Sequence, residues 1–226
     1  MSNRFVVIVI ALLCIFGGIF IATKHKANGP TTSNSNVAPT SHQEGQGQKH
    51  VTLIEYGDYQ CPACGEYYPL MKQVFNKYQA DITFQFRNFP ITSKHPNAFA
   101  GARAAEAAAK QGKFWQMHDK LYDENVTYYT AQNQGQVYNT WITATDPTSY
   151  FNQYAQALGL DVTKFKQDFQ SASVNDLINA DINAANAIGT DATPTFALDG
   201  KKVSPTPQSL AAFNKLLDSE IAAKNK

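Results

Sequence analysis

Apolar and polar residues alternate strictly through Ile82-Thr83-Phe84-Gln85-Phe86-Arg87, the period of a strand with one face buried. Val51-Thr52-Leu53-Ile54-Glu55-Tyr56 is β-rich, with a single acidic residue near its end, and predicts an earlier strand. Between them, Tyr67, Leu70, Met71, Val74, Phe75 and Tyr78 recur at three- and four-residue spacing, which predicts a helix from Pro62 to about Tyr78. Proline suits the first helical position, so Cys61 falls at the N-cap.

A long helical block comes next. Asn97–Gln111 is alanine-rich with Gly112 as a stop, and Phe114 to about Glu124 continues helical. Residues 126–145, rich in Gln, Asn, Tyr and Thr, carry no clear period. Asp146-Pro147 opens a helix that Gly159 closes, Asp161 caps one to Phe169, and Ser173 is expected to cap one to Ile188, stopped by Gly189. Thr195–Leu198, an Asp199-Gly200 turn and Lys201–Val203 form a hairpin. A last helix is expected from Thr206-Pro207, amphipathic through Leu210, Phe213, Leu216, Leu217 and Ile221. The order is that of an α/β sheet carrying a helical insertion at about 91–189.

Residues 1–49 read differently. After the basic flank 1–4, Phe5–Ala22 is an unbroken run of apolar residues and glycine. At 18 residues it would extend ~27 Å as a helix, just enough to cross a hydrocarbon layer. No convincing small-residue cleavage site follows it, so a transmembrane anchor is favoured over a cleaved signal sequence. Residues 23–49 are small and polar and read as a flexible tether. The folded body is then 50–226. Residues 1–49 carry a net +3, which leaves −2 on the body. A body so near neutrality lacks the basic footprint of a nucleic-acid binder.

Cys14 lies in the apolar run, so the body holds only Cys61 and Cys64. A thiolate at a helix N-terminus is favoured by unpaired N–H groups and the helix dipole. Cys61 is therefore expected to be the exposed attacking sulfur and Cys64 the resolving one. A zinc site would need further ligands, but the histidines (25, 42, 50, 95 and 118) are scattered. Haem attachment would need a histidine at position 65, which is glycine. A structural disulfide over so short a loop would constrain little chain. Asn125-Val126-Thr127 fits a glycosylation triplet and is assigned no role.

Glu55-Tyr56-Gly57-Asp58-Tyr59-Gln60-Cys61-Pro62-Ala63-Cys64, Phe86-Arg87-Asn88-Phe89-Pro90, Gly112-Lys113-Phe114-Trp115-Gln116-Met117-His118-Asp119 and Gly189-Thr190-Asp191-Ala192-Thr193-Pro194-Thr195-Phe196 occur in this order. In these segments the chain resembles the DsbA-like thiol–disulfide oxidoreductases of the thioredoxin superfamily. The resemblance implies a thioredoxin fold, a central mixed sheet flanked by helices, with an inserted helical domain. It implies a cis-proline at Pro194, which residue pattern alone would leave trans. Thr193, Pro194, Pro62 and Ala63 would then meet the substrate, and Glu55 would be a buried acid exchanging a proton with Cys64. No cofactor beyond the cysteine pair is implied.

The implied partners are reduced or unfolded exported proteins and a quinone-linked, disulfide-generating membrane protein that reoxidises the pair. The implied place is the outer side of the cell membrane. Pro62-Ala63 lacks the histidine that lies between the cysteines in the most oxidising relatives, which weakens the case for extreme oxidising power. An oxidase is the first expectation. A reductase of exported proteins with the same fold, or a non-catalytic peptide-binding or chaperone module, is the alternative.

Overall fold

The computed structural model describes residues 36–225, so the apolar run 5–22 lies outside the described residues. Among the described residues no helix is long and apolar enough to cross a membrane. The elements are β1 (His42–Glu44), β2 (Val51–Gly57), α1 (Pro62–Tyr78), β3 (Ile82–Asn88), α2 (Ala98–Ala109), α3 (Phe114–Asn133), α4 (Thr148–Ala157), α5 (Val162–Phe169), α6 (Ala172–Ala187), β4 (Thr195–Leu198), β5 (Lys201–Lys202) and α7 (Leu210–Lys224).

They build one mixed sheet in the order β1-β3-β2-β4-β5. β2 and β3 are parallel, joined by the α1 crossover, while β4 lies antiparallel to β2 with Glu55 opposite Phe196. Side chains alternate across a strand. Val51 and Leu53 therefore enter a cluster with Met71, Val74, Phe213 and Leu217 beneath α1 and α7. Ile54 and Tyr56 face the opposite way, against Ala185 of α6. Burying a side chain such as Phe213, fully enclosed here, contributes roughly 1.5–3 kcal/mol. Helices α2–α6 form the inserted block, whose aromatic core includes Phe114, Trp141, Phe151 and Phe165.

Several expectations are corrected. The segment read as tether holds β1, antiparallel to β3 with His42 opposite Phe86. Thr40 donates from its N–H and its hydroxyl to Asp181, both at 2.7 Å, and its carbonyl accepts from Gln85 at 2.9 Å. These partners lie far along the chain, so local composition could not reveal them. α3 continues to Asn133, nine residues past the expected end at Glu124. Ser171, not Ser173, caps α6 by accepting from the Val174 N–H. The last helix starts later than Thr206-Pro207, with Ser209 as its cap. The Asp199-Gly200 turn has positive φ at both residues, the geometry that joins β4 to β5 tightly.

Candidate active site

Cys61 ends an extended segment and caps α1, with φ −69° and ψ 126°. Its N–H donates to the Asp58 carbonyl at 3.1 Å, and its carbonyl accepts the first helical bond from Gly65 at 3.2 Å. Pro62 follows at the first helical position and is exposed, while Ala63 is half-buried. Both cysteines are free thiols, so the site is in its dithiol form. The expected exposure of the attacking sulfur is corrected. Cys61 is 7% exposed, because the Thr193 loop closes over it, and Cys64 is 0% exposed.

The loop before β4 brings Thr193 and Pro194 to this point, and the peptide between them is cis. The Cys61 Sγ lies 3.5 Å from the Thr193 carbonyl oxygen, to which it donates when protonated. The Thr193 hydroxyl is buried beside it without a hydrogen-bond partner.

The two sulfurs differ sharply in acidity. A hydrogen bond from the Cys64 thiol, helped by the Thr193 side chain and the Cys64 N–H, pulls Cys61 down to about 6, against burial and the nearby Asp58. Cys64 is pushed well above the ordinary thiol range by burial first, then by its bond to Cys61 and the charges of Cys61 and Glu55. Glu55 is 3% exposed, and burial, then the Cys61 charge, lifts it to about 8. At neutral pH the set is therefore a thiolate, a thiol and a protonated carboxyl.

Glu55 points to the α1 side of the sheet and meets a small cleft of about 20 Å³, with Lys72, His118 and Asp119 on its walls. That is room for about one water beside the buried carboxyl.

Comparison with known proteins fits this geometry. A family profile described as Thioredoxin matches residues 37–219. The chain belongs to the thioredoxin superfamily. Its fold is that of the DsbA-like members. It is similar to BdbD from Bacillus subtilis in the oxidised form (TM-score 0.65, 19% identity, 82% of this chain and 96% of that one). It is equally similar to alpha-DsbA1 from Wolbachia pipientis (TM-score 0.65, 18% identity, 86% and 98%). A thioredoxin-like oxidoreductase from Silicibacter pomeroyi DSS-3 gives a TM-score of 0.62 at 22% identity over 82% of this chain and 93% of that one.

Relatives with higher identity bear another name. The Na(+)/H(+) antiporter NhaA 1 of Mycolicibacterium gilvum is 33% identical over 71% of this chain and 24% of its own length. NhaA 3 of Salinispora tropica is 31% identical over 80% of this chain and 25% of its own length. The chain spans about a quarter of the length of these curated relatives, and their ion transport is a statement about those whole proteins.

At a coarse level the chain thus has the fold of the thioredoxin-like oxidoreductases, with the cysteine pair at the N-terminus of α1. Other groups around the centre escaped the sequence reading. Asp58, 1% exposed, accepts from the N–H groups of Gln60 (2.8 Å) and Ile91 (2.9 Å), and its Oδ2 pairs with His95 Nδ1 at 2.8 Å. His95 thus has a structural partner in Asp58. His118 is buried, with Nδ1 3.0 Å from Asp119. Asn125 of the glycosylation triplet is fully buried.

Proposed function

We propose that the protein is an extracytoplasmic thiol–disulfide oxidase that introduces disulfide bonds into exported proteins. The observation that carries this reading is the split in acidity between Cys61 and Cys64. A stabilised thiolate favours the dithiol form of the enzyme, and a pair that prefers to be reduced is an oxidant of other thiols.

In the forward step a substrate thiolate attacks Cys61 of the Cys61–Cys64 disulfide. The S–S bond between the cysteines breaks, a mixed disulfide forms, and Cys64 leaves with the electron pair, taking the Glu55 proton. A second substrate thiolate then attacks its neighbour in the mixed disulfide and expels Cys61 as a thiolate. The substrate loses two electrons and the enzyme gains them. Thr193 and Pro194, with Pro62 and Ala63 across the sulfur, frame the place where an extended substrate segment would lie. No cofactor beyond the sulfur pair is needed. A quinone-linked disulfide-generating membrane protein would remove the two electrons, and the apolar run 5–22 would keep the enzyme beside it.

Equilibration of the purified protein with glutathione buffers is the test. A reduction potential below about −250 mV would overturn the oxidase and favour a reductase. Refolding of a reduced, disulfide-containing substrate by Cys61→Ser at the parent rate would leave only a chaperone role.

A further inference from the structure

The loop that presents Cys61 is gripped from outside the thioredoxin sheet. Three successive carbonyls, those of Tyr59, Gln60 and Cys61, all accept hydrogen bonds from α3. Asn125 Nδ2 donates to Tyr59 O at 2.9 Å and to Cys61 O at 3.1 Å, and Tyr129 Oη donates to Gln60 O at 3.0 Å. Asn125 is 0% exposed, and its Oδ1 has no partner. Its approach to α1 depends on Gly65, where a Cβ would lie 1.9 Å from that oxygen. An orphaned buried acceptor costs free energy, so a residue kept there for packing alone would be better replaced by an apolar one.

We propose that Asn125, assisted by Tyr129, is a positioning residue that sets the acidity and redox poise of Cys61 by holding these three carbonyls turned into α3. The physical reason is the direction of the peptide dipoles. Each carbonyl oxygen carries partial negative charge and opposes a thiolate it faces, whereas the N–H end favours it. Bonded to α3, the carbonyls of residues 59–61 cannot swing toward the sulfur. The same grip keeps Cys61 within reach of the Cys64 thiol and N–H. The inserted block thereby takes part in the chemistry as well as covering it. This proposal rests on the reading of Cys61 and Cys64 as an exchanging pair.

The test compares the full chain with its Asn125→Ala and Tyr129→Phe variants, using alkylation read by peptide mass spectrometry, which separates Cys61 from Cys14 and Cys64, and glutathione equilibration. Asn125→Ala is expected to raise the pH at which Cys61 alkylates half-maximally. It should also move the dithiol–disulfide equilibrium ~10-fold toward the disulfide, the weight of one or two lost hydrogen bonds. Tyr129→Phe, at a half-buried site that tolerates phenylalanine, should shift both in the same direction by ~3-fold. A folded Asn125→Ala protein with parental values in both assays would overturn the proposal. Should Asn125→Ala fail to fold, parental values in Tyr129→Phe would overturn it equally. The parent's own potential judges the oxidase reading separately, since the positioning role is read only from the difference between parent and variant.

Discussion

The Sγ of Cys61 lies 3.5 Å from the carbonyl oxygen of Thr193, 132 positions further along the chain. One residue opens a helix and the other precedes a strand, and only the pairing of β2 with β4 brings them together. The sulfur is thus enclosed between the N-terminus of α1 and the cis-proline loop before β4.

The acidity of Cys61 gives the most direct prediction. Its alkylation rate should reach half-maximum near pH 6, well below the ~8.5 of a free thiol. Because its folded pKa is depressed, the stabilisation of the reduced protein is fully present above the unfolded value. It is lost as pH falls through about 6. Each unit of difference is worth ~1.4 kcal/mol, or ~30 mV of oxidising power. Half-maximal alkylation near pH 8.5 would refute this.

Glu55 carries the opposite sign. An acid raised to about 8 in the fold binds its proton more tightly there than when unfolded, so its ionisation weakens the fold progressively from about pH 4.5 up to 8. Glu55→Gln should therefore be more stable than the parent, by an increment that grows across that window in urea titrations. The same variant should slow the step that protonates or deprotonates Cys64 by ~10²-fold. Parental kinetics for that step would remove Glu55 from the mechanism.

His95 and Asp58 form a pair at 2.8 Å whose hydrogen bond, the largest influence on His95, raises its pKa against partial burial. A raised histidine contributes stability that is complete below its unfolded value of ~6.5. That contribution disappears as pH rises through the higher folded value. His95→Leu should cost ~1–3 kcal/mol at pH 5.5 and less at pH 9. A pH-independent loss measured by thermal unfolding would point to packing alone.

Thr40 tests where the folded unit begins. Thr40→Val deletes the 2.7 Å hydroxyl bond to Asp181, though Asn88 still donates to the same oxygen from its N–H at 2.9 Å. The expected loss is ~1–3 kcal/mol in chemical denaturation. Removing residues 1–48 should cost more, because β3 would lose its outer partner β1. No loss in either would mean that this segment is only a tether.

What could be read along the chain was whatever neighbours decide. The i, i+3 and i, i+4 periods of α1, the alternation of β3, the Asp199-Gly200 turn and the Cys61-Pro62-Ala63-Cys64 spacing obey rules spanning a few residues, and the structure places each where those rules put it. The three-residue β1 lacks such a signature, since a short edge strand is held by its partner and by Asp181, 141 positions from Thr40. The grip of Asn125 on residues 59–61 and the Asp58–His95 pair were equally invisible. Polar side chains find buried partners only after helices and sheet have packed. It is that packing, by removing water, which gives Cys61, Cys64 and Glu55 their separate acidities.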